Sequence, residues 1–217
     1  MESQVVSKKR VADHGEVLTG KREVIAMLDL VKQETERIES RFLEPACGTG
    51  NFLTEVLVRK LEVVAKRYGN SQLEFERYAV LAVSSIYGID ILADNVSQCR
   101  ERLFEVFDGY YTGHFPETMK ARCRDAVRFI LNRNIVWGDA LDMKTKNEPR
   151  MPIVFSEWSP INGGMLKRRD FSFQGLLAHE DMKQLSLFSD LGEDVFIPTP
   201  EKEFPAVHFM EVAFVQQ

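Results

Sequence analysis

At 217 residues, with 44% hydrophobic and 28% charged side chains, the chain has the composition of a folded globular protein, which excludes a wholly disordered one. The length suits one α/β domain, or one domain with a small appendage. No apolar run approaches a membrane span or the core of a signal peptide, so a cytoplasmic protein without membrane association is expected. The net charge of −5 works against an unaided grip on nucleic-acid phosphates. Three cysteines, Cys47, Cys99 and Cys123, are widely spaced with no C-x-x-C, which argues against a disulfide frame or a metal site.

Residues 1–13 are polar and charged and read as an N-terminal arm. His14 to Thr19 (H-G-E-V-L-T) leads into a helical pattern from about Arg22 to Glu39, with Val24, Met27, Leu28, Val31 and Ile38 at helical spacing and Thr19 as a cap. A short strand, about Arg41 to Glu44, then runs into the small-residue turn Pro45-Ala46-Cys47-Gly48-Thr49-Gly50. A helix follows from Asn51 to about Arg67 and stops at Tyr68-Gly69-Asn70. Glycines between a strand and a helix permit positive φ and close approach of a ligand to bare backbone. The helix start beyond them leaves amide N–H groups unpaired. This is the pattern of a cofactor cradle at the carboxyl end of a first strand.

A second helical piece, about Ser71 to Val83, precedes a second strand, Ser85 to Ile91 (S-I-Y-G-I-D-I), with Asp90 at its end. A short carboxylate there suits the vicinal hydroxyls of a ribose. The structural alternative for Asp90, capping the next helix, is better served by Asp94. That helix extends to about Phe107, and Tyr110, Tyr111 and the Gly113–Pro116 turn form a loop. Another helix, about Glu117 to Leu131, carries basic residues, and a third strand, Asn134 to Ala140 (N-I-V-W-G-D-A), ends on Asp139. Besides this series (Lys120, Arg122, Arg124, Arg128, Arg133), basic runs stand at Lys8-Lys9-Arg10 and Lys167-Arg168-Arg169. Each alone reads as a solvated surface.

The run R-F-L-E-P-A-C-G-T-G-N-F-L, Arg41 to Leu53, resembles the S-adenosylmethionine (SAM) loop of the DNA adenine-N6 methyltransferases of restriction-modification systems. The resemblance covers roughly Lys8 to Ala140, and Y-G-I-D-I at Tyr87–Ile91 and N-I-V-W-G-D-A at Asn134–Ala140 match that family's next two signatures in order. It implies a doubly wound, mostly parallel, Rossmann-like α/β sheet of the class I SAM-dependent methyltransferase type, with helices on both faces and an incomplete second half. It implies SAM as cofactor, held by His14, Glu16, Thr19, Glu44, Pro45, Ala46, Gly48, Gly50, Asn51, Phe52, Asp90, Ile91, Asp139 and Ala140. Glu44 would face the cofactor's amino group, Asp90 its ribose, and Asp139 the exocyclic amine of its adenine. Leu18 and Gly20 depart from the family, which has an aromatic and a proline there.

The resemblance breaks after the third strand. The family places N/D/S-P-P-Y/F behind its fourth strand to accept the amine's protons and stack on a flipped base. Here Pro152 to Asn162 reads P-I-V-F-S-E-W-S-P-I-N, with Ile153–Phe155 as the expected fourth strand. Ser159 and Pro160 are the remnant of the tetrad, and Trp158 or Glu157 a replacement for its missing members. The expected organisation is thus an arm (1–13), a SAM-binding domain (14–165) and a divergent C-terminal region (166–217) with an acidic stretch, Glu180–Asp194. The function implied is methylation of adenine in DNA, by this chain or as the SAM-binding subunit of a partner that supplies recognition or catalysis. The alternatives are a catalytically inactive SAM- or DNA-binding accessory protein, or a methyltransferase acting on RNA or protein.

Overall fold

The computed structural model describes residues 19–178 and 199–215. The expected arm, His14, Glu16, the Lys8-Lys9-Arg10 run and the acidic stretch Glu180–Asp194 lie outside the described residues. The fold is mixed α/β. One sheet has the order β1 (Phe42–Glu44), β2 (Ile86–Asp90), β3 (Ile135–Asp139) and β4 (Lys144–Thr145). The first three strands are parallel, and β4 runs antiparallel to β3. Helices α1 (Lys21–Asp29) and α2 (Lys32–Thr35) precede β1, α3 (Asn51–Tyr68) and α4 (Gln72–Ser84) join β1 to β2, and α5 (Ala93–His114) and α6 (Ala121–Asn134) join β2 to β3. No helix among the described residues is long and apolar enough to cross a membrane.

Alternation along the strands sorts the core into two layers. Ile86 of β2 and Ile135 of β3 point to one face, where Leu53, Leu57 and Leu61 of α3, Val80 of α4, Leu103 and Phe107 of α5 and Ile130 of α6 close over them. Their neighbours Tyr87, Ile89 and Val136 point to the other face. A doubly wound sheet would cover that second face with helices. Here it meets Ile153, Phe155 and Phe173, with Leu176 and Leu177 from a helical turn at residues 173–178.

The expected fourth parallel strand is therefore replaced. Val154–Ile161 forms an eight-residue strand, β5, antiparallel to β6 (Met165–Ser172) in a separate sheet with β7 (Lys202–Glu203) and β8 (Val207–His208). Gly163 and Gly164, with φ of 76° and 77°, make the tight turn that folds β6 back on β5.

Helix boundaries also differ from the sequence pattern: α6 covers Ala121–Asn134 rather than about Glu117 to Leu131, and two differences are larger. The single helix expected over 22–39 breaks after Asp29, because Leu30 and Val31 take tightened bonds to Met27 and Leu28 carbonyls at 3.3 and 3.2 Å. Met27 and Val31 are exposed, whereas Val24, Leu28 and Ile38 are buried. In contrast, α5 continues through Tyr110 and Tyr111, which were expected in a loop. Tyr111 is fully buried beside Phe75, and its hydroxyl donates to the buried Glu76 carboxylate, so the helix is held to its end.

Candidate functional site

The carboxyl ends of β1, β2 and β3 open into a cavity of ≈ 460 Å³. Each strand end contributes one acid to its wall: Glu44, Asp90 and Asp139. The turn contributes Pro45, Ala46, Cys47 and Gly48, the start of α3 contributes Asn51 and Phe52, and Thr19, Ile91 and Ala140 complete the set of described residues named above. Gly50 does not line the cavity. It stands behind the wall with φ of 86°, and a Cβ there would lie 2.7 Å from Cys99 Sγ on α5. Only glycine fits both the left-handed backbone and the contact.

Asp90 is the hinge of the site. One carboxylate oxygen accepts the Gly48 N–H at 2.8 Å, and the other accepts the Leu92 N–H at 2.9 Å and the Asn95 amide at 3.2 Å. The expectation that Asp94 would serve the start of α5 is corrected: Asp94 lies inside the first turn, and Asp90 satisfies the backbone at that entry. A carboxylate has about four lone-pair sites, so Asp90 keeps acceptor capacity toward the cavity.

The other two acids are set differently. Burial raises the Glu44 carboxyl above its usual range, only partly opposed by the Ala46 N–H at 3.4 Å. At Asp139 burial pulls upward, but Lys146 Nζ at 3.2 Å and the Leu141 N–H at 3.1 Å outweigh it and hold the carboxyl low. No lysine, arginine or histidine lines the cavity among the described residues. Its wall is thus acidic and rich in acceptors, with Met27, Ile91 and Leu141 as exposed apolar surface. The carboxylates of this wall favour a cation that carries hydrogen-bond donors.

The expected catalytic residues lie elsewhere. β5 starts near the carboxyl half of β3, where Ile153 covers Gly138, and runs toward the amino end of the sheet. Trp158 is buried there against Phe129, with its indole N–H on Asn134 Oδ1 at 3.2 Å, ahead of the first residue of β3. Ser159 Oγ accepts from Arg169 at 3.1 Å, Pro160 is exposed, and Glu157 pairs with Arg41 and Arg169. None of Glu157, Trp158, Ser159 and Pro160 lines the cavity. The residues expected to be a tetrad remnant form a strand of the hairpin, with Trp158 in the core.

The basic series on α6 is also largely committed within the chain. Lys120 pairs with Glu76, Arg122 with Glu211, Arg124 with Asp108, and Arg128 approaches Glu101. In the second run Lys167 pairs with Glu203, Arg168 with Asp170 and Arg169 with Glu157.

Sequence reasoning missed Leu92, Asn95, Lys146 and Arg102. The Asp90–Leu92 contact is a local Asx turn and was readable two residues apart. The Arg102 contact reaches across 53 residues to Thr49 and left no local signal. Comparison of the chain with protein-family models, with curated proteins and with solved structures gave no match in any of the three.

Proposed function

We propose that the cavity is a SAM site and that the chain has a Rossmann-like fold of the class I methyltransferase type, cut short after its third strand. The observation that carries this reading is the acidic wall. Glu44, Asp90 and Asp139 stand at three successive strand ends around one cavity, without a basic side chain among its described lining residues. SAM carries a sulfonium, an ammonium, a ribose diol and an exocyclic amine, each a cation or a donor, and the three carboxylates of the wall suit all four. A dinucleotide would bring a pyrophosphate, which this wall disfavours. The volume of ≈ 460 Å³ lies within the range of about 300–1,000 Å³ usual for small-molecule sites. Glu44 would hold the ammonium, Asp90 the ribose and Asp139 the adenine amine, while the amino end of α3 would receive the carboxylate. When bound, SAM supplies an electrophilic methyl group.

Within this reading the chain is the SAM-binding subunit of a DNA adenine methyltransferase in a restriction-modification or defence setting, with a partner supplying the catalytic tetrad and DNA recognition. The position of Trp158, Ser159 and Pro160 outside the cavity favours a binding role over methyl transfer by this chain alone. The ion-paired basic residues of α6 and β6 likewise favour DNA contact through a partner. A second reading, a non-catalytic accessory protein that binds SAM, rests on the same two observations.

The test is calorimetric titration of the full chain with SAM, beside Glu44→Gln and Asp139→Asn. Affinity weakened about tenfold or more in either variant supports the assignment. SAM affinity that neither substitution changes removes it. Methyl transfer to mixed-sequence DNA by the isolated chain would eliminate both the subunit and accessory readings.

A further inference from the structure

We propose that Arg102, on α5, is the positioning residue of the glycine turn and, through Asn51, of the Thr19 wall of the cavity. Its Nη1 donates to the Thr49 carbonyl at 2.7 Å, to Thr49 Oγ1 at 3.1 Å and to Asn51 Oδ1 at 2.7 Å. These acceptors belong to the residues immediately before and after Gly50. Asn51 passes the restraint on, because its amide donates to the Thr19 carbonyl at 2.9 Å. One guanidinium therefore fixes the turn and, through Asn51, the Thr19 segment held beside it.

Two further features make the turn depend on this contact. Gly50 is the N-cap of α3 and supplies no side-chain cap, so the usual serine, threonine or aspartate lock is missing. A left-handed glycine is also the residue that gains most conformational freedom when released. Cys99, one turn before Arg102 on the same helix, supplies the surface that excludes any residue other than glycine at position 50. Helix α5 is thus a base plate: Cys99 sets how close the turn lies, and Arg102 sets its orientation. The acceptors of Arg102 are neutral oxygens, and it makes no ion pair among the described residues, so a flexible point-charge donor would reproduce the arrangement only in part.

The effect on ligand affinity rests on the SAM reading; the effect on the turn does not. The experiment measures hydrogen exchange on the full chain without ligand at the Gly48 and Gly50 amides, which bond to Asp90 Oδ2 and the Cys47 carbonyl at 2.8 Å each. Arg102→Met is expected to speed exchange there roughly tenfold or more, with α4 unchanged and Arg102→Lys intermediate. SAM affinity should fall by a similar factor. Unaltered exchange in the turn overturns the inference, and so does equal acceleration in α4, which would make Arg102 a support of the whole domain. Should Arg102→Met not fold, Asn51→Ala is expected to give the same localised acceleration at smaller size, and its absence overturns the inference. If the turn responds while the wild-type chain does not bind SAM, the positioning role stands and the cofactor reading falls.

Discussion

The two ends of the same sheet handle polar side chains in opposite ways. At the amino end they are spent on the chain itself. Lys60 is fully buried and donates to the Ile38 carbonyl at 3.0 Å, Ser85 Oγ at 2.7 Å and the Ser40 carbonyl. Asn134 donates to the Ser84 and Ile86 carbonyls at 3.1 Å and accepts from Trp158 at 3.2 Å. At the carboxyl end the polar side chains border a cavity, and among the described residues Glu44 has only the long Ala46 contact on its carboxylate. Buried polar groups are normally satisfied, because each orphan costs about 1–3 kcal/mol. Asp90 and Asp139 are partly spent on the chain as well, through Gly48, Leu92, Asn95, Leu141 and Lys146, so the contrast is sharpest at Glu44, the acid most available to a ligand.

Substitutions at the amino end should break the fold and spare the site. Trp158→Ala removes a core aromatic and a partner of Asn134, and should lower unfolding free energy by about 3–5 kcal/mol in denaturant titration. The SAM affinity of the protein that remains folded should be unchanged. Were Trp158 a stacking residue of the site, affinity would fall with little loss of stability.

Lys60→Met is the next largest. It removes a donor from the Ile38, Ser40 and Ser85 oxygens, of which Ile38 and Ser85 keep other contacts, at a cost of about 1–3 kcal/mol for an orphaned buried acceptor. Burial pulls the Lys60 ammonium down to about 7 from 10.5. In that window the unfolded chain holds a proton that the folded chain releases, so wild-type stability should rise with pH from about 7 toward 10.5. The rise should be missing in Lys60→Met when thermal midpoints are compared across that range.

Glu44→Gln tests the other end. It should weaken SAM about tenfold while shifting stability little. Because burial lifts the Glu44 carboxyl, wild-type affinity for a cationic ligand should decline as pH falls, beginning above the usual glutamate range. The Gln variant should lose this dependence. Asp139, held low by Lys146, should add no such loss until more acidic pH. The smallest effect belongs to the surface: Arg124→Ala breaks a partly exposed pair with Asp108 and should cost about 0–1 kcal/mol with no change in ligand binding.

The carboxyl end was the legible one. A tight turn from strand to helix needs small residues in a fixed order, and strand-end acids need apolar strands before them, so E-P-A-C-G-T-G, Y-G-I-D and W-G-D are local patterns. The amino end depends on contacts distant in sequence: Trp158 suggests a replacement for a missing stacking residue until its partner Asn134, 24 residues away, is known. The hairpin did carry a signal. Two runs, V-F-S-E-W-S-P-I and M-L-K-R-R-D-F-S, flank N-G-G, which marks a β-hairpin more directly than a damaged tetrad. The break of the first helix after Asp29 had no such signal, since Leu30 and Val31 continue the apolar pattern.

The most direct test of the acidic-wall assignment is a competition at the cavity itself. SAM and NAD would each be titrated into the full chain by calorimetry at neutral pH, with Glu44→Gln alongside. SAM should bind, NAD should not, and the Glu44 variant should weaken SAM alone. Binding of NAD as tight as that of SAM, or SAM affinity indifferent to Glu44, would contradict a cavity selected for a cation by the acids at its three strand ends.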